Sequence, residues 1–211
     1  MRSLLRVARQ SIRQTLRARQ LHQQIRSASE LRLIIGASGT AQEGWIATEQ
    51  QLIDLLQAST WSNFIMPGSV DAILAEHVWE HLTESQGRLA AQTCFQFLKP
   101  GGHLRVAVPD GFNPSSAYLQ RVRPGGTGAG ADDHKVLYNH QTLCDVLGSA
   151  GFETRLIEYF DADGEFHAAD WEISDGFVLR TLKFDRRNEQ EPFGYTSLFL
   201  DAIRPALRQV A

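Results

Sequence analysis

A glycine-bearing turn, Gly36-Ala37-Ser38-Gly39, closes a short apolar run from Leu31 to Ile35, and an acid, Glu49, follows the next run, Trp45 to Thr48. Glycine lets a ligand approach the backbone, and a carboxylate at a strand end can accept both hydroxyls of a ribose, so this spacing suits a ligand built on a nucleoside. Glu49 equally suits the first turn of a following helix, where an acid meets the positive end of the dipole. Further on, Glu76 with His77, and Asp110 after another apolar run, occupy equivalent strand-end positions, and Asp132-Asp133-His134 follows a long glycine-rich segment. A carboxylate beside a histidine fixes its tautomer and raises its basicity, which is what a general base needs. The candidate catalytic residues are therefore His134, Asp110 and His77. The candidate cofactor-binding residues are Gly36, Ala37, Ser38, Gly39, Glu49, Glu76 and His77. Asp132 and Asp133 also read as turn caps beside a solvated His134. The ligand count there is short for an ion, and no metal is expected. Glu80 and His81 suit a structural role, capping or cross-strand hydrogen bonding.

The elements that must position these residues alternate. Strands are expected at about 31–36, 45–48, 70–76, 102–108, 152–160 and 195–203, and helices at about 2–27, 49–57, 83–98 and 139–149. Such alternation implies an α/β fold with a doubly wound, mostly parallel sheet, whose ligands sit beyond the carboxyl ends of the strands. Thr83 with Gln86 forms a capping pair, and Lys99-Pro100-Gly101-Gly102 stops the helix between them. Only four residues separate Gly39 from Gly44, whereas a parallel crossover normally needs about a dozen or more, so the first crossover helix is shortened or missing. The N-terminal helix is expected to cover the sheet face so exposed. The segments 152–159 and 195–201 are separated by a polar, aromatic insert and not by a helix, which makes them antiparallel neighbours. Within the insert, Asp161-Ala162-Asp163-Gly164 is a turn, and 166–171 is expected to pair with 177–184 as a hairpin. The 23 residues from Gly111 to Asp133 exceed an ordinary loop, and a substrate lid anchored by Phe112 and Tyr118 is the expectation.

The chain is 43% apolar and long enough for one core. Residues 1–29, a basic amphipathic N-terminal helix, precede the body at 30–211. They carry seven arginines and no acid, and removing that +7 from the overall −3 leaves the body near −10. Three readings of the helix stay open: a targeting segment, a helix lying on an anionic membrane surface at 2–27, or a helix packed on its own domain. The acidic body argues against nucleic-acid binding. Cys94 and Cys144 show no metal spacing and read as packed thiols of a reducing compartment. No apolar run spans a bilayer, so a cytoplasmic protein, or one peripheral at a membrane, is expected.

With these residues in view, the chain resembles the class I S-adenosylmethionine-dependent methyltransferases, and among them the compact "predicted methyltransferase" type. The glycine turn, Gly44-Trp45-Ile46, the stretch Ala75 to Leu82, Leu98 to Gly102 and Val108-Pro109-Asp110 carry the general likeness. Pro124 to Asn139 and Phe184-Asp185-Arg186-Arg187-Asn188 look like the compact members. The resemblance implies a Rossmann-like seven-stranded sheet with an antiparallel last strand. It also implies S-adenosylmethionine with its methionine and ribose over Gly36 to Gly39 and its ribose hydroxyls on Glu49. A small-molecule or glycan-like acceptor would then take the methyl group. Two other readings stand beside it: a methyltransferase-like module without turnover that binds a membrane surface or protein partner, and a nicotinamide-dependent oxidoreductase. The missing first helix counts against the latter, because pyrophosphate binding uses that helix's N-terminus.

Overall fold

The computed structural model describes residues 2–37, 39–191 and 193–206, with side chains from residue 12 onward. One seven-stranded mixed sheet has the order β2-β1-β3-β4-β7-β5-β6. Its strands are β1 Arg32–Ile34, β2 Ile46–Ala47, β3 Val70–Glu76, β4 Leu98–Pro109, β5 Glu153–Phe160, β6 Phe166–Ala168 and β7 Ser197–Ile203. β2, β1, β3 and β4 run parallel, and β7 is inserted in reverse between β4 and β5. The fold is therefore α/β and Rossmann-like, with the antiparallel last strand that the sequence implies.

Side-chain alternation divides the core between the two faces. Leu33 and Ile35 belong to the larger cluster, together with Leu104, Val106 and Val108 of β4. This face carries α1 (Arg2–Ser27), α2 (Ala58–Ser62), α3 (Glu84–Phe97) and α5 (His140–Gly148), through Leu21, Trp61, the stripe Ala90, Ala91, Cys94 and Phe97, and the pair Leu143 and Leu147. Ile34, Leu74, Ala107 and Phe199 face the other way and meet Val178, Trp45 and Trp171. The second face is thus covered by the insert after β6, where the edge of Trp171 meets the ring of Phe199 at 5.0 Å.

Local signals set several boundaries. Thr83 and Gln86 exchange both bonds of a capping box at the start of α3, and Asn139 and Thr142 do the same for α5. Among the described residues, no helix lies between β1 and β2. The last turns of α1 occupy the adjoining face, with Leu21 buried and Ile25 packed on the same cluster as Leu33 and Ile46.

Three expectations are corrected. Residues 49–57 form turns and not a helix: Leu52 and Ile53 both bond the carbonyl of Glu49, and the Asp54 carboxylate then bonds the Leu56 amide, a side-chain competitor that ends helical propagation. Residues 166–168 pair with β5 across the Asp161–Gly164 turn, not with 177–184. The Asp161 carboxylate that accepts from the amides of Asp163 and Glu165 fixes that turn. The 111–133 segment contains α4, Ser116–Val122. Its Tyr118 hydroxyl donates to the Thr196 carbonyl and accepts from the Asp110 amide, so this stretch is docked on the body and is not a free lid.

One charged residue lies inside β4. Arg105 is fully buried, and its guanidinium forks onto Asp201, its cross-strand partner on β7, with Nε and Nη2 donating at 2.7 and 3.0 Å. Its Nη1 donates to the carbonyls of Glu172 and Gly176 in the insert. Arg155 of β5 reaches the same carboxylate at 2.9 Å. Burial alone would raise the Asp201 carboxyl, but the two arginines hold it below the usual carboxylate range. Replacing Arg105 with leucine leaves Asp201 buried beside the half-exposed Arg155 alone. The expected cost is about 3–5 kcal/mol, read as a lowered midpoint in urea unfolding. A change under about 1 kcal/mol would show that the pair does not hold the insert to the sheet.

Candidate functional site

The carboxyl ends of β1 and β3 open onto two adjoining hollows that share Gly36, Ala37 and Thr40. The backbone turns here through left-handed conformations, with φ of +64° at Gly36 and +91° at Gly39, which glycine adopts without strain. A Cβ at Gly36 would stand 2.8 Å from Cγ2 of Val78, whereas one at Gly39 would meet nothing within 4 Å. The bend is packed from beneath by Val78 and bare on its other flank.

The outer hollow, about 540 Å³, is lined by this bend and by Thr48, Glu49, Gln50 and Gln51. Glu49 faces it from the end of β2. One of its carboxylate oxygens accepts from Arg17 of α1 at 2.6 Å, with both side chains more than half exposed, so water screens the pair and it opens at little cost. Ser38, expected in the same cradle, lies outside the described residues.

The inner hollow, about 280 Å³, runs from Ile35 and Gly36 past Glu76 and His77 to Glu80, His81 and His134, with Arg180 at its edge. His77 extends the β3 ladder through its amide to Ala107, yet adopts φ +55°, an uncommon state for a non-glycine residue and one that clusters at functional sites. That turn carries its ring to β7, where Nε2 lies 3.1 Å from Ser197 Oγ. His134 is held by a 2.7 Å bond from Nδ1 to the Val122 carbonyl, so Nδ1 carries a proton and Nε2 is the nitrogen with the lone pair in the neutral ring. Its ring meets that of His81 edge-on at 4.9 Å.

The candidate residues thus divide. His77 and His134 come together in the inner hollow, and Gly36, Ala37, Gly39 and Glu49 in the outer one. Glu76 lines the inner hollow, but its oxygens accept from the amides of Leu179 and Arg180 and from the Arg180 guanidinium. Asp110, the other candidate catalytic residue, does not line the hollow that holds His134. Its two oxygens accept from the amides of Phe112 and Phe160 at 2.9 and 2.7 Å, which fastens the end of β4 to the end of β5. Burial pushes its carboxyl up to about 6 against the pull of those amides. Sequence reasoning also missed Arg180, which approaches from 104 positions away. Glu80 does not act through the expected side-chain bonds: its carbonyl accepts from the Lys135 and Val136 amides, while its carboxylate is turned inward.

No protein-family model matches the chain. No curated protein matches it in sequence. Among solved structures, it is similar to an S-adenosylmethionine-dependent methyltransferase from Archaeoglobus fulgidus, at 15% identity over 90% of this chain and 92% of that one, with a TM-score of 0.47. It is similar also to a methyltransferase from Thermotoga maritima described as a possible histamine N-methyltransferase, at 12% identity over 94% and 97% with a TM-score of 0.49. A third is the putative methyltransferase of Haloferax volcanii in complex with the Trm112 activator, at 10% identity over 88% of each chain with a TM-score of 0.48. At such identities no site residue carries across.

A second buried acid behaves like Asp110. Glu158 of β5 bonds the Leu182 amide at 2.8 Å, and burial pushes its carboxyl from 4.5 up to about 7. Both groups have a higher pKa folded than unfolded, so the native chain holds protons that the unfolded chain releases. That stability is complete below about pH 4 and is lost as pH rises through about 6 and 7. Glu158→Gln keeps an acceptor for Leu182 and has no proton to lose. Relative to wild type it should gain about 2–3 kcal/mol between pH 4 and pH 8, measured by urea unfolding at both. Parallel pH dependence in the two proteins would place the Glu158 carboxyl at its ordinary value.

Proposed function

We propose that the protein is an S-adenosylmethionine-dependent methyltransferase acting on a small-molecule or glycan-like acceptor. The observation that carries this reading is the pair of adjoining hollows at the carboxyl ends of parallel strands, with a bare glycine bend between them and a solvent-reachable carboxylate on the outer one. The bend and the carboxylate suit a ligand that carries a ribose. The open flank of Gly39 admits a ligand against the backbone, and Glu49, once released from Arg17, has two oxygens for two vicinal hydroxyls. The cofactor, when bound, supplies a methyl group on a sulfonium, which an acceptor nucleophile displaces.

The chain's own contribution is position and proton handling. Holding the acceptor in line beside the cofactor supplies most of what such a displacement needs. The inner hollow, which adjoins the outer one at Gly36, Ala37 and Thr40, is the acceptor's place in this reading. His134 offers the lone pair of Nε2 there, and His77 is fixed beside it by Ser197. Glu76 serves as a clamp that ties the wall of the hollow to the backbone of Leu179 and Arg180.

Calorimetry with S-adenosylmethionine and S-adenosylhomocysteine tests the reading. Saturable binding of both is expected, weakened about 10-fold or more by Glu49→Ala, since a hydrogen bond to a charged group is worth about 1.5–3 kcal/mol. Nicotinamide dinucleotide is expected not to bind. Failure of every nucleoside ligand would leave the non-catalytic module as the better account.

A second reading concerns α1, and one observation favours it: Ile12 and Leu16 are largely exposed, while Leu21 and Ile25 of the same helix are packed. We propose that the face of α1 bearing the exposed Ile12 and Leu16 lies on an anionic membrane surface, these two residues in the interface and the helix's arginines at the headgroups. No helix among the described residues is long and apolar enough to cross a membrane. The chain should co-sediment with vesicles containing phosphatidylserine, and Ile12→Glu with Leu16→Glu should abolish this without changing the melting temperature. Equal partitioning of the two proteins would exclude the contact.

A further inference from the structure

The inner hollow ends at Glu80 and His81, to which no role has been assigned, beside His134. Glu80 is 1% exposed, and neither carboxylate oxygen has a hydrogen-bond partner among the described residues. His77 Nδ1 lies 3.0 Å from Oε1 without a hydrogen bond, an approach that pairs charge only when the ring is protonated. A carboxylate taken out of water with no hydrogen bond to either oxygen is costly, and a cation between its neighbours removes the cost.

The neighbours are suited to that. One donor atom each from Glu80, His81 and His134 lies within 4.8 Å of the other two. Ligands about 2.0–2.2 Å from a common ion stand about 3–4 Å apart, so small rotations close the set. His134 Nδ1 bonds the Val122 carbonyl, the kind of outer support that orients a metal-binding imidazole and leaves its second nitrogen free. His81 Nδ1 lies 3.3 Å from Asp133 without a hydrogen bond. Backbone bonds from the Lys135 and Val136 amides to the Glu80 carbonyl bring the two halves of the set together.

The geometry points to a divalent transition-metal site of the zinc class, with Glu80, His81 and His134 as protein ligands and an open coordination position on the inner hollow. Two imidazoles and one carboxylate with a position left open make a catalytic donor set rather than a closed structural one. Resting on the methyltransferase reading, the open position assigns the acceptor class. It is a hydroxyl or thiol that coordinates the ion, releases its proton to water in the open hollow, and as the oxygen or sulfur anion takes the methyl group while the methyl–sulfonium bond breaks and S-adenosylhomocysteine leaves. The Nε2 lone pair of His134 then serves the ion and not the proton.

The experiment is calorimetry of the full chain, stripped with a chelator, against zinc, together with the visible spectrum of the cobalt(II) form. One ion per chain and a spectrum of low-coordinate cobalt with nitrogen and oxygen ligands are expected. Glu80→Gln and His81→Gln should each weaken zinc binding by more than about 100-fold, beyond what loss of an outer support does. His81 is partly exposed, so its variant keeps the test valid should Glu80→Gln unfold, and circular dichroism checks both. No zinc binding at micromolar concentration, or unchanged affinity in a folded variant, overturns the site. Zinc binding without S-adenosylmethionine binding upholds the site and removes the methyltransferase reading, and the reverse result does the opposite.

Discussion

Arg105 and Asp201 set the terms for the rest of the molecule. An α/β sheet ordinarily has helices on both faces, but here α1, α2, α3 and α5 pack on one, and the other would expose Ile34, Leu74, Ala107 and Phe199. What covers them is an irregular insert with little regular hydrogen bonding of its own. It needs polar anchors inside an apolar interface, and a buried guanidinium supplies them, with two groups turned to Asp201 and one to the insert's carbonyls. The same cation lies 5.2 Å from the rings of both Trp171 and Phe199, so its faces are used as well as its edge. A lysine could not make these contacts at once.

The insert in turn forms a wall of the site. Gln42, in the segment that replaces the first crossover helix, exchanges both bonds of its amide with the backbone of Phe177. Glu76 receives the amides of Leu179 and Arg180. The carboxyl end of β3 is therefore tied to the second face of the sheet, and the chain past it must turn sharply, which is where His77 takes its left-handed conformation. The chain of dependence runs from one buried ion pair, through the insert, to the histidine whose ring enters the inner hollow.

Legibility from sequence followed the range of the interactions. The central strands, the capped α3 and α5 and the reversed β7 rest on apolar runs, capping pairs and turns, all within a few residues of one another. The absent first helix was readable because chain length alone forbids it. The turns at 49–57 and the partner of 166–168 were not, since side-chain bonds from Asp54 and Asp161 decided them. In the site, the glycine bend and Glu49 lie where strand-end reasoning puts them, because that rule depends only on chain direction. Asp110 and Glu76 obey the same rule, yet their oxygens serve amides 50 and 103 or 104 positions away, and nothing local announces that.

This sorts the polar groups by a criterion the sequence could not apply. A buried carboxylate whose oxygens meet backbone amides is accounted for by the fold: Asp110 and Glu158 have such partners, and Glu76 has an arginine besides. Glu80 has the deepest burial of comparable carboxylates around the inner hollow and no hydrogen bond to its side chain. The segment that would most easily have satisfied it, residues 134–136, bonds its carbonyl instead and presents an imidazole to its carboxylate's side of the cluster. A fold selected for stability alone would have an apolar residue or a paired one there, since either costs less. On the proposed reading, this carboxylate without a hydrogen bond marks the place of a cation, at the end of the hollow given to the acceptor.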